Sequence, residues 1–448
     1  MAAVAPALAA LSVMTLRERD LPTELTDAII DHLHDDKPSL QNCALVSSAW
    51  LESSRYHLFY AVRVRGELPG RSFAEFLAFL AAAPHIRDTI RELTFRVNGK
   101  IAAHPPATRC VGPHILATVL KTLPALRALA LDNVSWDRNL IAGGDGRTVA
   151  AWPPAPRALG VLTLSRVVTE EFLAARIFRL NDAFEVLFAF APLGTLRLLS
   201  MTLELNLRGP ALPAFPPALR LGAYTVHANY ARIPPAPVLD AIHATMARSL
   251  RAVDFAVRSD EEAAVLGNLL RVVGGTLEAL ALDMSDMTVL RAFNAPGPWH
   301  ALHLPTLGAL RALELHVWSS GAHVRGDLFT YDGQWCVCSV APLLAYLPAR
   351  APLARVRLVV HVAGYAHALR AHLADGVDWA VLLHELQRFP TLGAVAVEVR
   401  PRRGQHVRGD ALDAVADLLE SRLAPLVDAG VMTVEVTEDV APPARGER

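Results

Sequence analysis

Residues 21–60 read LPTELTDAIIDHLHDDKPSLQNCALVSSAWLESSRYHLFY. Pro22 suits the first turn of a helix, where its missing N–H costs nothing, and Glu24 suits the positive end of the helix dipole. Leu25, Ile29 and Leu33 fall four apart with Ile30 beside them, which predicts one apolar stripe on a first helix. Pro38 prevents that helix from running on. Ser39 is placed to cap a second helix carrying Leu40, Cys43, Ala44 and Val46. Trp50 and Leu51 head a third, closed by Tyr56, Leu58 and Phe59. Three short helices in about forty residues bury too little surface to be secure alone, so such a unit lays spare apolar surface on a partner.

The stretch resembles an F-box, the segment that docks a protein onto the Skp adaptor of a cullin–RING ubiquitin ligase. In that family the opening Leu-Pro, the first-helix aliphatics and the later Leu-Val-Ser and Trp face the adaptor or support the face. They match here as Leu21, Pro22, Leu25, Ile29, Ile30, Leu33, Leu45, Val46, Ser47 and Trp50. The continuation Ser54-Arg55-Tyr56-His57-Leu58-Phe59-Tyr60 resembles the mushroom-type fungal members. The resemblance is confined to residues 21–66, and the bland reading of the same residues is a three-helix cap on a larger domain.

The chain has 448 residues, beyond the size at which one compact core keeps growing, so two units or a repeat array is expected. Hydrophobic residues make up 52% and charged residues 19%, a balance that excludes a disordered chain. A net charge of −1 gives no overall field toward nucleic acid or an anionic membrane. Four cysteines without regular spacing point to a reducing compartment. The apolar run over residues 1–16 lacks a basic segment before it and is broken by Pro6, so neither a secretory signal nor a membrane span is expected. The expected location is the cytoplasm or nucleus. Arginine outnumbers lysine forty to three, which most simply reflects GC-rich codons. Protection from self-ubiquitination is the functional alternative.

Beyond the N-terminal unit a hexad recurs, apolar–x–x–apolar–x–apolar. It starts at Ile90, Leu126, Leu159, Leu196, Leu250, Leu277, Leu310, Leu353 and Leu392, with a weaker copy at Leu219. Most copies follow closely on a proline, and helical stretches such as 73–80, 263–272, 379–389 and 411–423 separate them. Strands alternating with helices imply parallel pairing through crossovers. The hexad resembles the strand of a leucine-rich repeat, although the usual closing Asn or Cys is replaced by Val134, Ser285 or Trp318. The expected class is therefore α/β: a small N-terminal three-helix F-box followed by a leucine-rich-repeat-like solenoid of parallel strands and helices. The expected boundaries are an N-terminal tail (1–20), the F-box (21–66), the solenoid (67–440) and a disordered tail (441–448). An ordinary two-layer α/β domain is the structural alternative.

In such a strand, positions one, four and six face inward, and Ala128, Ala130, Asp132, Asp283, Glu314, His316 and Glu398 face the other way. That face either receives a flat partner or lies beneath loops. Insertions at 96–117, 132–156, 316–340 and 400–410 all follow a strand and leave along one rim, the usual place of a binding face. The third carries Trp318, Phe329, Tyr331 and Trp335, residue types that dominate interfaces, so Trp318, Tyr331 and Trp335 are candidate substrate contacts. A self-packed loop is the structural alternative.

Cys336-Val-Cys338 has no second cysteine pair, and His367 and His372 are five apart, so no metal is expected from these motifs. Gly143–Gly146 lacks the setting of a phosphate loop, and no nucleophile or metalloprotease motif is present. The expectation is a non-catalytic protein without cofactor, metal, nucleic-acid or membrane partner. By resemblance it would join the Skp adaptor, and through it a cullin, to a protein substrate. The alternative is a repeat scaffold acting outside any ligase.

Overall fold

The computed structural model describes residues 22–68, 72–138, 156–175, 177–187, 189–199, 202–204, 221–227, 249–257, 260–284, 300–320, 337–363, 373–374, 377–401 and 409–437. The tails at 1–20 and 441–448 and Leu21 lie outside them. The chain is mixed α/β and is built on one large parallel sheet.

Three helices open it: α1 (Thr23–His32), α2 (Lys37–Val46) and α3 (Ser48–Tyr60). Pro22 stands at the N-cap of α1, and Glu24 lies in its first turn. The cap of α2 is Asp36, not Ser39: its carboxylate accepts from the Ser39 N–H at 3.2 Å and from the Ser39 hydroxyl at 2.7 Å. Pro38 then falls in the first turn, where it is tolerated. Ser47 caps α3 by accepting from the Ala49 N–H. Ser53 donates to Asp27, and His57 Nε2 stands 2.7 Å from Asp31, tying α3 to α1. Ile30, Leu40 and Cys43 are buried among these helices, apart from the continuous core of the sheet.

The strands of the large sheet, numbered along it, are β1 (Ala61–Arg65), β2 (Glu92–Arg96), β3 (Ala128–Asp132), β4 (Arg157–Ser165), β5 (Phe190–Leu199) and β6 (Leu221–His227). They continue as β7 (Ala252–Ala256), β8 (Ala279–Asp283), β9 (Ala312–Ser320), β10 (Arg355–Ala363), β11 (Ala394–Pro401) and β12 (Met432–Val436). Each pairs in parallel with the strand before it and the strand after it, so their order across the sheet is their order in the chain. Strand β1 begins one residue after α3 ends, which places the first sheet strand inside the 21–66 segment.

The hexads lie in register. Leu93, Leu129, Leu162 and Leu196 stand side by side at position four, as do Val253, Leu280, Leu313, Val356 and Val395 further along. All are buried, and they join one core with helix residues such as Phe73, Leu116, Leu266, Leu344, Leu382 and Leu419. Position alternation explains this: residues at one, four and six meet the helices that connect the strands. Phe73 on the helix Phe73–Ala82 packs edge-on against Phe95 of β2, with ring centroids 4.8 Å apart.

Two hexad frames differ from the sequence reading. Leu193 pairs along the sheet with Leu159, so the fourth copy is Leu193-Gly-Thr-Leu-Arg-Leu198 and not the one starting at Leu196. Leu221 pairs with Leu193, so the weak copy is Leu221-Gly-Ala-Tyr-Thr-Val226 and not Leu219. The 54-residue gap between copies at 196 and 250 thereby closes to steps of 28 and 29, from 193 to 221 to 250. Two further copies bracket the array, with Val62 and Val64 in β1 and Met432 and Val434 in β12 at positions four and six.

Position two of β4, β5 and β6 is glycine in each case. A Cβ on Gly194 would lie 2.5 Å from the Gly160 carbonyl oxygen, and one on Gly222 would lie 2.9 Å from that of Gly194. Side chains are excluded here by the closeness of successive backbones.

Along one rim, three short strands form a second parallel sheet: Cys110–Val111, Ser135–Trp136 and Val168–Thr169. Each comes from the segment following a strand of the large sheet. The insertion 96–117 is therefore built structure, with Ile101, Cys110 and Val111 buried. Asn133, in a left-handed conformation, donates through its amide to the carbonyls of Val97 at 2.6 Å and Gly99 at 3.0 Å. The turn-binding asparagine missing at 134 thus stands one residue earlier.

Candidate functional site

The three N-terminal helices leave apolar side chains uncovered. Leu45 is 85% exposed and Val46 69%, at the end of α2, while Leu25 and Ile29 are 53% and 43% exposed one turn apart on α1. Helical spacing explains the split: Ile30, next to Ile29, turns inward and is fully buried. Leu33 and Trp50 are half-buried, and Pro22 is exposed. Of the positions singled out from the sequence, Pro22, Leu25, Ile29, Leu45 and Val46 offer surface, and Ile30 supports it from below. Leu25 and Ile29 on α1 and Leu45 and Val46 on α2 are thus exposed aliphatics on one small unit.

Of the candidate substrate contacts, Tyr331 and Trp335 lie outside the described residues, as do Phe329, Cys336, His367, His372 and Gly143–Gly146. Trp318 lies in β9, paired with His361.

A second site lies on the sheet face opposite the helices, across β8 to β11. Asp283 of β8 is the direct neighbour of His316 of β9. His316 neighbours Val359 of β10, and His361 follows two residues on, on the same face. Arg400 of β11 is the neighbour of His361. Arg400 Nη2 lies 3.1 Å from His316 Nδ1 and 3.3 Å from His361 Nε2. Arginine only donates, so both ring nitrogens accept there. His316 Nε2–H then donates to Glu314 at 2.8 Å. Arg357 spans two carboxylates, 2.7 Å from Glu398 and 3.4 Å from Glu314.

Charge balance in this cluster is set by burial as well as contact. Burial, with the Arg400 cation beside it and His316 nearby, lowers the His361 pKa to about 4, so the ring is neutral at physiological pH. The hydrogen bond from His316 holds the Glu314 carboxyl below its ordinary value, with Arg357 adding to it. Glu398 is pushed up by burial, but Thr437, Arg400 and Arg357 outweigh this and lower it. Ala279, Ala281, Ala312 and Ala396 lie at positions of the same face beside this polar cluster.

This cluster was not legible from motif spacing. Its signal lay in the hexads, since Asp283 and His316 both occupy the position following the sixth. Among the described residues, no helix is long and apolar enough to cross a membrane. No protein-family model matches the chain, and no curated protein matches it.

Proposed function

We propose that this chain is the substrate-recognition subunit of a Skp–cullin–F-box ubiquitin ligase. Residues 21–66 act as the F-box, and the parallel array from residue 67 to 440 acts as a leucine-rich-repeat-like solenoid that selects a protein substrate. The observation that carries the reading is the exposure of Leu25, Ile29, Leu45 and Val46, apolar positions that the F-box resemblance assigns to the adaptor. The in-register hexads on strands arranged in chain order support the second half. The subunit does no chemistry: tethering raises the effective concentration of substrate lysines beside the loaded ubiquitin carrier. Trp318, Tyr331 and Trp335 are proposed substrate contacts.

Co-expression with the Skp adaptor tests this reading. The parent chain co-purifies with the adaptor, while Leu25→Asp places a charge in an apolar contact and abolishes capture. Trp50→Ala weakens it by removing a half-buried support. Retention of the adaptor by the double variant overturns the F-box assignment.

A further inference from the structure

The polar cluster on the sheet face opposite the helices has the geometry of a metal site. His316 Nδ1 and His361 Nε2 stand 3.3 Å apart. Two imidazole nitrogens on one tetrahedral zinc, each about 2.0–2.1 Å from it, stand roughly 3.3 Å apart as well. Both nitrogens also lie within hydrogen-bond distance of one Arg400 nitrogen, at 3.1 and 3.3 Å, so they converge on a common point. That nitrogen is a cationic donor standing beside the place a metal ion would take.

Two further observations agree. The other ring nitrogen of His316 is held by Glu314, the carboxylate–histidine arrangement that fixes tautomer and orientation in metal ligands. One carboxylate oxygen of Asp283 and one ring nitrogen from each histidine lie within 4.8 Å of one another, which places the carboxylate to serve as a third ligand. We propose that Asp283, His316 and His361 bind one divalent transition-metal cation of the zinc class, and that Arg400 occupies the site in the metal-free chain. Two imidazoles and one carboxylate suit zinc and its first-row neighbours, and they disfavour calcium and magnesium, which take oxygen ligands. Entry of the metal moves the guanidinium toward Glu398, whose Oε1 is 3.8 Å from Arg400 Nη1. Three protein ligands leave a fourth position for water or for a side chain of a docked protein.

Titration of the full chain, stripped of metal, with cobalt(II) and then zinc(II) tests the proposal. The parent takes up one equivalent of cobalt with the visible bands of a four-coordinate N/O site, and zinc displaces it. His316→Ala with His361→Ala abolishes uptake, with the melting curve as the folding control. Should that variant fail to fold, His316→Gln and Asp283→Asn each weaken binding about tenfold or more, the scale on which single changes at a metal site act. Arg400→Gln removes the competing cation and tightens binding. Uptake unchanged by the histidine or aspartate substitutions overturns the site. A thiolate charge-transfer band moves it to the cysteines and overturns it equally. Weaker binding in Arg400→Gln overturns the displacement.

Discussion

Arg109 and Glu170, 61 residues apart, form a bidentate ion pair at the junction of the three short rim strands. Ser135 of the middle strand donates to the same carboxylate, and Cys110 stands against it. One carboxylate therefore ties together segments that follow three different strands of the large sheet.

Loss of that carboxylate should loosen the rim. Burial pushes the Glu170 carboxyl up, but hydrogen bonds from Arg109, Ser135 and Cys110 outweigh it and leave its pKa lowered. A lowered carboxyl pKa contributes stability above the unfolded value and loses it as pH falls through the folded value. Glu170→Gln should cost about 2 kcal/mol at neutral pH, since it leaves Arg109 largely buried and half-paired. The gap should narrow as pH drops below the ordinary carboxylate range. Melting temperatures of both proteins across pH 3–7 check this, and a constant gap would refute it.

Cys110 should be unreactive in the folded protein. Burial and the Glu170 carboxylate raise its thiol pKa to about 12, so almost no thiolate exists at ordinary pH. Iodoacetamide at mildly alkaline pH should leave Cys110 unmodified until denaturant is added. Peptide mapping by mass spectrometry decides the point, and labelling of the native chain at this residue would count against the described packing.

The glycine column should be intolerant of even a methyl group. Gly194→Ala forces the new Cβ against a backbone oxygen that cannot turn aside, so a loss of about 2 kcal/mol or more is expected. Gly308→Ala, where nothing lies within 4 Å, should stay within about 0.5 kcal/mol of the parent. Equal chemical denaturation midpoints for the two variants would mean that β4 and β5 approach less closely than described.

Stability and docking should separate on the N-terminal helices. Ile30→Ala removes a fully buried side chain and should cost about 2–4 kcal/mol. Leu45→Asp changes a residue that touches little and should leave the melting temperature where it was. Only the second should lose the Skp adaptor while the chain stays folded. A Leu45→Asp chain that binds as the parent does would place the adaptor contact elsewhere.

Much of the architecture was legible because a buried strand face repeats an apolar hexad that water-exposed segments do not sustain. Misframing at Leu196 has a plain cause: Leu193, Leu196, Leu198, Leu199 and Met201 satisfy two overlapping hexads, and only pairing with Leu159 chooses between them. Asp36 and Ser39 are both good capping residues, so the sequence does not choose between them; the aspartate caps because it reaches two donors at once. The metal-type cluster was invisible to motif spacing, because Asp283, His316 and His361 meet across strands and not along one helix. Asn133 is masked in the sequence by a one-residue offset that a left-handed turn absorbs.

Because every strand of the large sheet lies beside its chain neighbours, assembly has a direction available to it. As the chain leaves the ribosome, each new strand finds its template already complete, and none has to wait for a distant segment still unmade. Each strand pairing in the large sheet joins segments that are neighbours in the chain, which keeps the search at each step small despite the length of the whole. A nascent chain of this kind shows one growing edge at any moment, and that edge is hidden again by the next strand to emerge.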